Sequence, residues 1–359
     1  MNNARPLRVL VVDDSAYNRR NIAGILAGSD EIEVVGKAHD GDEALRLVSA
    51  LHPDAITLDL EMPRMDGFTF LRILMATQPT PVIVVSSYSA KDNVFKALDL
   101  GAIDFVAKPD WQAAPDAAVR GEILSKVLLV RSLRSFASLA SSRGLAVPGA
   151  APSQTHDRGG PPASRGAAVP RYLVGIASST GGPSALLEIF TRLPERFPGA
   201  ILIAQHMPDK FTRTFAERLD KKGALRVVEA QDGDPVRARC AYICPGKQSM
   251  EVVGASGFAD LHIRVASQAA GERYCPSGDR LLRSIGQLGG SRTFGIILTG
   301  MGDDGVLGAR AIRTRGGTVI AETEESAVVY GMPAAAVRAG VVSEQLSIGA
   351  IGDYLAGLT

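Results

Sequence analysis

The first part of the chain alternates short apolar runs with amphipathic stretches. The continuous runs VLVV and VIVV are typical of strands that are buried on both faces. Segments with a helical spacing of apolar residues lie between the runs. The predicted strands are 7–12, 33–38, 55–60, 82–86 and 104–107. The predicted helices are 17–27, 42–50, 67–76 and 92–100. This alternation predicts a doubly wound, five-stranded parallel sheet.

A second series of apolar runs begins at Tyr172 with YLVGIAS. The strands predicted in this part are 172–178, 199–204, 241–243, 261–265, 294–298 and 317–321. The helices predicted between them are 183–191, 211–221, 277–288, 305–315 and 332–339. The pattern indicates a second α/β domain with a mainly parallel sheet.

The two series are separated by a predicted helix, 118–142, and by a segment of different composition. Residues 144–170 are dense in Gly, Pro, Ala and Ser and contain no aromatic residue. Such a segment has little to bury and is typical of a linker. The expected organisation is a first domain at 1–125, a helix and linker at 126–170, and a second domain at 171–359.

Charge and composition narrow the class of protein. The 359 residues carry a net charge of +1, so no global basic field favours nucleic acid as a partner. Residues 1–110 hold 11 Lys/Arg against 16 Asp/Glu, whereas residues 171–359 hold 21 against 19. An acidic first domain beside a nearly neutral second one favours cation binding in the first.

The N-terminus and the cysteines indicate the compartment. The start MNNARPLRVLVVDD lacks the long apolar stretch of a signal peptide, and no run approaches the ~20 apolar residues of a membrane helix. Cys240, Cys244 and Cys275 are too few for a disulfide framework, and no further Cys/His pair has zinc-ligand spacing. We expect a cytoplasmic protein without membrane insertion.

Polar side chains follow four strands of the first domain. Asp13 and Asp14 follow VLVV, Asp59 follows AITL, Ser86 ends VIVVS, and Lys108 follows DFVA. Parallel strands present these ends at one edge, where three carboxylates repel each other unless a hard cation such as Mg²⁺ joins them. A lysine and a hydroxyl can hold phosphoryl oxygens beside a reactive aspartate. Asp after a strand also suits a helix N-cap, but the joint pattern favours a phosphorylation site.

These residues carry a resemblance to a known family. VLVVDDS, LDLEMPRMDG, VVSS and GAIDFVAKP resemble the response-regulator receiver domain, which has a flavodoxin-like fold, over about residues 6–125. The resemblance implies that Asp59 is the phosphoacceptor and that Phe105 is an aromatic residue whose rotamer follows activation. It implies Mg²⁺ ligands at Asp13, Asp14, Asp59 and the backbone carbonyl of Glu61, and phosphoryl contacts from Ser86 and Lys108.

Three further polar groups follow strands of the second domain. Ser179 lies in SSTGGP after YLVGIA, His206 follows AILIAQ, and Asp304 lies in GMGDDG after FGIILT. Serine, histidine and aspartate at neighbouring strand ends suit nucleophilic acyl transfer, in which the histidine takes the serine proton and the carboxylate orients the histidine. Each motif alone also suits a simpler role: a phosphate cradle, a structural histidine, or a turn with a helix cap. The spacing by itself leaves these alternatives open.

The second domain also resembles a known family. ASSTGGP, AQHMPDKFT, AYICPGKQSMEV, ILTGMGDDG and AETEESAVVYGMP are similar to the catalytic domain of the CheB chemotaxis protein-glutamate methylesterases, from about Tyr172 to the C-terminus. The resemblance implies Ser179 as nucleophile, His206 as base and Asp304 as orienting acid, with the Met301 amide in the oxyanion hole. One departure is Ser178, which stands where the family usually has alanine and is expected to have a supporting role. Asp303 is interpreted as a loop residue.

The resemblance implies an activity, partners and a form of control. The reaction is hydrolysis of γ-glutamyl methyl esters on methyl-accepting chemotaxis receptors to glutamate and methanol, with deamidation of selected glutamines as a second activity. A CheA-type histidine kinase is the expected phosphodonor, and receptor clusters at the membrane's inner face are the expected docking place. Mg²⁺ is expected in the receiver, and no cofactor in the catalytic domain. The unphosphorylated receiver is expected to inhibit the catalytic domain.

Two other outputs are disfavoured by the residues after the linker. A DNA-binding regulator needs a short basic domain, but nearly neutral α/β sequence follows. A nucleotide-binding output through SSTGG lacks the lysine that follows the glycines of a phosphate-binding loop.

Overall fold

The computed structural model describes residues 5–87, 91–108, 117–133, 168–254 and 257–358. The chain divides into two compact units, one within residues 1–147 and the other within residues 148–359. The end of the predicted helix 118–142 and most of the predicted linker lie outside the described residues. In the part of the chain that is described, no helix has both the length and the hydropathy to cross a membrane.

The first unit contains one sheet in the order β2-β1-β3-β4-β5, and every pair of neighbours is parallel. Its strands are β1 (Leu7–Val12), β2 (Ile32–Ala38), β3 (Ala55–Leu58), β4 (Val82–Ser86) and β5 (Asp104–Ala107). Its helices are α1 (Ala16–Leu26), α2 (Gly41–Leu51), α3 (Gly67–Thr77), α4 (Lys91–Asp99) and α5 (Ala117–Leu128), which a 3₁₀ turn at Leu129–Ser132 follows. The predicted five-stranded parallel sheet is confirmed.

Capping residues define where three of these helices begin. The side chains of Ser15, Asp40 and Asp66 accept hydrogen bonds from the first-turn amides of α1, α2 and α3. Strand β3 ends at Leu58, two residues before the predicted end. Asp59 therefore lies just beyond the strand, with its amide donating to Val12 O at 2.9 Å.

The second unit contains a seven-stranded parallel sheet in the order β14-β13-β12-β6-β7-β9-β8. Its strands are β6 (Leu173–Ser178), β7 (Ala200–Gln205), β8 (Arg226–Glu229), β9 (Cys240–Ile243), β12 (Thr293–Ile297), β13 (Thr318–Glu322) and β14 (Glu344–Leu346). Its helices are α6 (Gly182–Arg192), α7 (Asp209–Lys222), α8 (Gly278–Leu288), α9 (Val306–Thr314), α10 (Met332–Arg338) and α11 (Ile348–Ala356).

An antiparallel hairpin accompanies this sheet. Its arms are β10 (Gln248–Val253) and β11 (His262–Ser267), so the predicted strand 261–265 belongs to the hairpin and not to the parallel sheet. Strands β8, β10 and β14 and helix α11 are not among the predicted elements. The mainly parallel sheet predicted for this domain is confirmed.

The centre of the large sheet creates the position for a site. Strand β6 lies between β7 and β12, and all three are buried along their whole length. The connection from β6 leads to β7 on one side, whereas β12 and β13 lie on the other, so the strand order reverses here. In doubly wound sheets, ligands bind beyond the carboxyl ends of the strands at such a reversal.

Candidate active site

The first unit gathers three carboxylates at the carboxyl edge of its sheet. Asp13 and Asp59 are buried and Asp14 is exposed, and one oxygen of each lies within 4.8 Å of the others. Lys108 Nζ lies 2.6 Å from Asp59 Oδ2 and 2.8 Å from Asp13 Oδ2. The positive charge of Lys108 thus reduces the repulsion among the three carboxylates.

The electrostatics of this cluster follow from burial and charge. Burial raises the pKa of the Asp59 carboxyl and Asp13 adds to the shift, while Lys108 opposes it. Burial disfavours the charged form of Lys108, but Asp59 and Asp13 outweigh it and raise the pKa of the lysine. A cation placed among these oxygens would favour the ionised carboxylates.

Two neighbouring predicted residues differ in their placement. Ser86 Oγ is buried and has no hydrogen-bond partner among the described residues. A buried hydroxyl normally has a partner, so this one fits a group that donates to a phosphoryl oxygen. The Glu61 side chain is exposed and does not join the carboxylate group found among the described residues. Its predicted role concerns the backbone carbonyl alone. Phe105 is 2% exposed, with its ring 6.2 Å from that of Phe95 in an edge-to-face contact.

The second unit brings His206 and Asp304 into direct contact. His206 Nε2 lies 2.8 Å from Asp304 Oδ2, and the Asp304 carboxylate is 1% exposed. The first amides of α8 complete its hydrogen bonds: Gly278 N–H donates to Oδ2 at 2.6 Å and Asp279 N–H to Oδ1 at 2.9 Å. A helix N-terminus stabilises negative charge, and these two amides fix the direction of the Asp304 carboxylate.

Glycine is required at position 278 for this close approach. A Cβ at Gly278 would lie 2.6 Å from the Ala177 side chain and 3.2 Å from Asp304 Oδ2. Asp279, next along the helix, has its pKa raised by burial and further by the charge of Asp304.

The contact with Asp304 decides which nitrogen of His206 can act. An ionised carboxylate only accepts hydrogen bonds, so Nε2 carries the proton and Nδ1 is left as the basic nitrogen. The His206 side chain is 19% exposed, which leaves the ring accessible from one side.

Ser179 occupies the neighbouring strand end. Ser178 pairs with Gln205 in the register of β6 and β7, so Ser179 and His206 are the next residues on adjoining strands, which run about 4.8 Å apart. The Ser179 hydroxyl makes no hydrogen bond to any residue that the structure describes. Of the three predicted groups, His206 and Asp304 are in direct contact, and Ser179 lies at the adjoining strand end. Hydrogen bonds between a nucleophile and its base are often long without substrate and shorten when substrate binds.

A buried amide links the two strand ends from beneath. Gln205 is 1% exposed, and its Nε2 donates to Ser179 O at 2.9 Å and to His206 O at 3.0 Å. Ser178 Oγ donates to Gln205 Oε1 at 2.7 Å and is fully buried. Ser178 thus holds Gln205 from the core and presents no hydroxyl to solvent.

The turn at Ser179 is also tied to the third strand end. Ser179 N–H donates to Thr299 O at 3.0 Å, and the buried Thr299 hydroxyl donates to Thr180 O at 2.8 Å. Glu322, on β13, accepts from the Thr299 amide at 2.8 Å. Gln205, Thr299 and Glu322 were not singled out from the sequence, although each lies at or next to the end of an apolar strand.

Met301 lies in the loop between β12 and α9 that also carries Asp303 and Asp304. Its side chain is 52% exposed. Gly300 anchors the loop by donating to Val329 O at 3.0 Å and accepting from Met332 N–H at 2.8 Å. Asp303, interpreted from sequence as a loop residue, accepts a hydrogen bond from Tyr274 Oη at 2.8 Å.

Two family models match this chain, one in each unit. The CheB methylesterase family model matches residues 174–355, and the response regulator receiver domain model matches residues 9–117. A protein-glutamate methylesterase/protein-glutamine glutaminase of Geobacter sulfurreducens is 45% identical, over 96% of this chain and 95% of its own. A protein of the same name from Myxococcus xanthus is 43% identical, over 98% and 97%.

A solved structure matches the second unit. It is the crystal structure of the Thermotoga maritima CheB methylesterase catalytic domain, with 37% identity and a TM-score of 0.50. The match covers 52% of this chain and 98% of that one.

Proposed function

The chain belongs to the CheB methylesterase family, and from this membership we propose that it is a serine hydrolase of chemotaxis receptors under phosphorylation control. It is a protein-glutamate methylesterase that carries a response regulator receiver domain. Its substrates are γ-glutamyl methyl esters, and selected glutamines are deamidated as a second activity. The observation that carries this proposal is the contact of His206 with the buried Asp304 carboxylate beside Ser179.

The proposed reaction begins with Ser179. Its Oγ adds to the ester carbonyl carbon while its proton passes to His206 Nδ1. Asp304 stabilises the imidazolium through Nε2, and the Met301 amide donates to the oxyanion. The bond to the methoxy oxygen then breaks, and the proton on Nδ1 moves to that oxygen as methanol leaves.

Water completes the cycle along the same proton path. It loses a proton to His206 Nδ1 as it attacks the acyl-enzyme, and the proton returns to Ser179 Oγ as glutamate is released. A glutamine substrate reaches the same acyl-enzyme with ammonia as the leaving group. The proposed site therefore supports both activities.

The receiver supplies the control. Asp59 is the proposed phosphoacceptor, with Ser86 and Lys108 contacting the phosphoryl oxygens. Asp13, Asp14, Asp59 and the Glu61 carbonyl would hold Mg²⁺, and the close carboxylate oxygens support this assignment. When bound, the ion neutralises charge that develops on the transferred phosphoryl group.

The proposed partners follow from the family membership. We infer a CheA-type histidine kinase as phosphodonor and methyl-accepting chemotaxis receptors as substrates. The place of action is then the cytoplasm, at receptor clusters on the inner face of the membrane. The unphosphorylated receiver would block access to Ser179, and phosphorylation of Asp59 would shift the population toward an open form.

Phosphorylation should raise the rate of methanol release from methylated receptor membranes by about tenfold when a small phosphodonor and Mg²⁺ are present. The Asp59→Asn variant should keep the basal rate and lose the stimulation, because its amide cannot accept a phosphoryl group. Chelation of Mg²⁺ should likewise abolish the stimulation of the wild type and leave its basal rate unchanged. Stimulation that persists in Asp59→Asn would show that phosphorylation of Asp59 does not control the rate.

Removing the receiver should relieve inhibition without any phosphodonor. A fragment of residues 168–359 should hydrolyse methylated receptors about tenfold faster than the full unphosphorylated chain, because no receiver blocks access to Ser179. The comparison is the kcat/KM for methanol release at equal active-site concentration. Equal values for fragment and full chain would exclude occlusion as the means of control.

A further inference from the structure

Tyr274 places its ring against the imidazole of His206. The two ring centroids are 5.3 Å apart and the ring planes differ by 10°, which is an offset stacked contact. The contact fixes the plane of the imidazole, a constraint that the hydrogen bond to Asp304 does not provide alone. An aromatic face also favours a cation such as the imidazolium that the reaction forms.

The hydroxyl of the same residue holds the loop between β12 and α9. Tyr274 Oη donates to Asp303 Oδ1 at 2.8 Å, and Arg273 Nη1 lies 3.4 Å from the same oxygen. The backbone at Gly302 makes room for the phenol: its φ is +97°, and a Cβ there would lie 2.4 Å from Oη. This loop carries both Met301 and Asp304.

The chain on either side of Tyr274 is itself anchored. Before it, Glu272 pairs with Arg280 of α8 at 3.5 Å, and Arg280 also contacts Glu251 of β10 at 3.1 Å. After it, the chain enters α8, whose first amides hold Asp304. The phenol therefore projects from a fixed segment and is suited to fix its neighbours.

We propose that Tyr274 is a positioning residue for the general base and for the oxyanion-binding loop. Its ring keeps the imidazole plane in the orientation that directs Nδ1 at Ser179, and its hydroxyl keeps the loop of Met301 in place through Asp303. This inference rests on the proposed function. Tyr274 acts through His206 and Asp303 and is assigned no contact with the ester or the acyl group.

Tyr274→Leu and Tyr274→Phe separate the two contributions in the full-length chain. A fluorophosphonate probe first titrates the functional sites, so that kcat for methanol release is expressed per active molecule. Tyr274→Leu should lower this kcat by about 10–100-fold with KM within about twofold, because misplacement by about 1 Å costs that much. Tyr274→Phe, which keeps the ring, should lose less than about tenfold. Tyr354→Leu, on α11, is the matched control.

A spectroscopic measurement distinguishes positioning from general instability. The ring protons of His206 should move in the NMR spectrum of Tyr274→Leu and stay nearly in place in Tyr274→Phe, because the stacked ring shields them. Unchanged kcat per titrated site in Tyr274→Leu would overturn the inference, as would a raised KM at constant kcat. Failure of the wild type to react with the probe or release methanol would instead count against the proposed function.

Discussion

Replacing Asp304 by asparagine should lower kcat by about 10³–10⁴-fold with little change in the fold. The carboxylate accepts from three donors, His206 Nε2 and the amides of Gly278 and Asp279. Asparagine offers one oxygen and one NH₂ group, so its NH₂ must face a donor. With its oxygen toward Asp279 N–H, the NH₂ takes the position of Oδ2 and faces both Gly278 N–H and the imidazole. Nε2 then becomes the acceptor, and Nδ1 carries the proton and cannot take one from Ser179.

The measurement is methanol release from methylated receptor membranes, with thermal unfolding recorded alongside. Asp353→Asn is the matched control, because Asp353 is 68% exposed on the last helix and such surface changes have small effects. An Asp304→Asn enzyme with a kcat near the wild-type value would show that the His206–Asp304 contact is structural and not part of the proton path.

Replacing Ser179 by alanine should lower kcat by about 10⁵–10⁶-fold, whereas Ser178→Ala should lose less than about tenfold. The two serines are adjacent and differ in environment. Ser178 is fully buried and donates to Gln205, whereas Ser179 is half-buried and its hydroxyl is free of hydrogen bonds to the described residues. Removing the Ser178 hydroxyl leaves a Gln205 oxygen unsatisfied, which costs about 1–3 kcal/mol of stability.

A double variant tests the proposal that Ser179 and His206 act together in one step. The double variant Ser179→Ala with His206→Ala should be no slower than Ser179→Ala alone, because a base without a nucleophile contributes nothing. The rates are compared per folded molecule. Losses that multiply in the double variant would mean that His206 and Ser179 serve separate steps.

The strands that carry the site could be predicted because they are buried on both faces. Runs such as VLVV and AILIAQ contain few polar residues, so their ends are marked by the first polar side chain. The marking falls on Asp13 after VLVV, whereas Ser179 and His206 lie one residue beyond the first polar side chains, Ser178 and Gln205. Parallel pairing then brings such ends to one edge of the sheet. The pairing of Ser178 with Gln205 places Ser179 beside His206 in this way.

Other strands lacked that signal. Strand β8 is RVVE and β14 is EQL, two short strands at the edges of the sheet. Strand β10 is QSMEVV, in which polar and apolar residues mix because one arm of a hairpin is only partly covered. Short or mixed segments do not separate strand from loop by periodicity.

The residues that support the site depend on contacts between distant segments. Gln205 precedes His206 in the chain, but its role comes from reaching across to Ser179 O. Tyr274 and Thr299 are 68 residues and 93 residues further along than His206, so no local spacing connects them with it. Such residues are found from the packed structure, since burial and pairing and not periodicity define them.

The proposal that Ser179 is the nucleophile is tested by identifying the residue that a fluorophosphonate probe modifies. After reaction with the full-length wild-type chain, digestion and mass spectrometry locate the adduct on a single side chain. We expect an adduct on Ser179 that forms much more slowly in His206→Ala. An adduct on Ser178, or the absence of any adduct from a protein that still releases methanol, would contradict it.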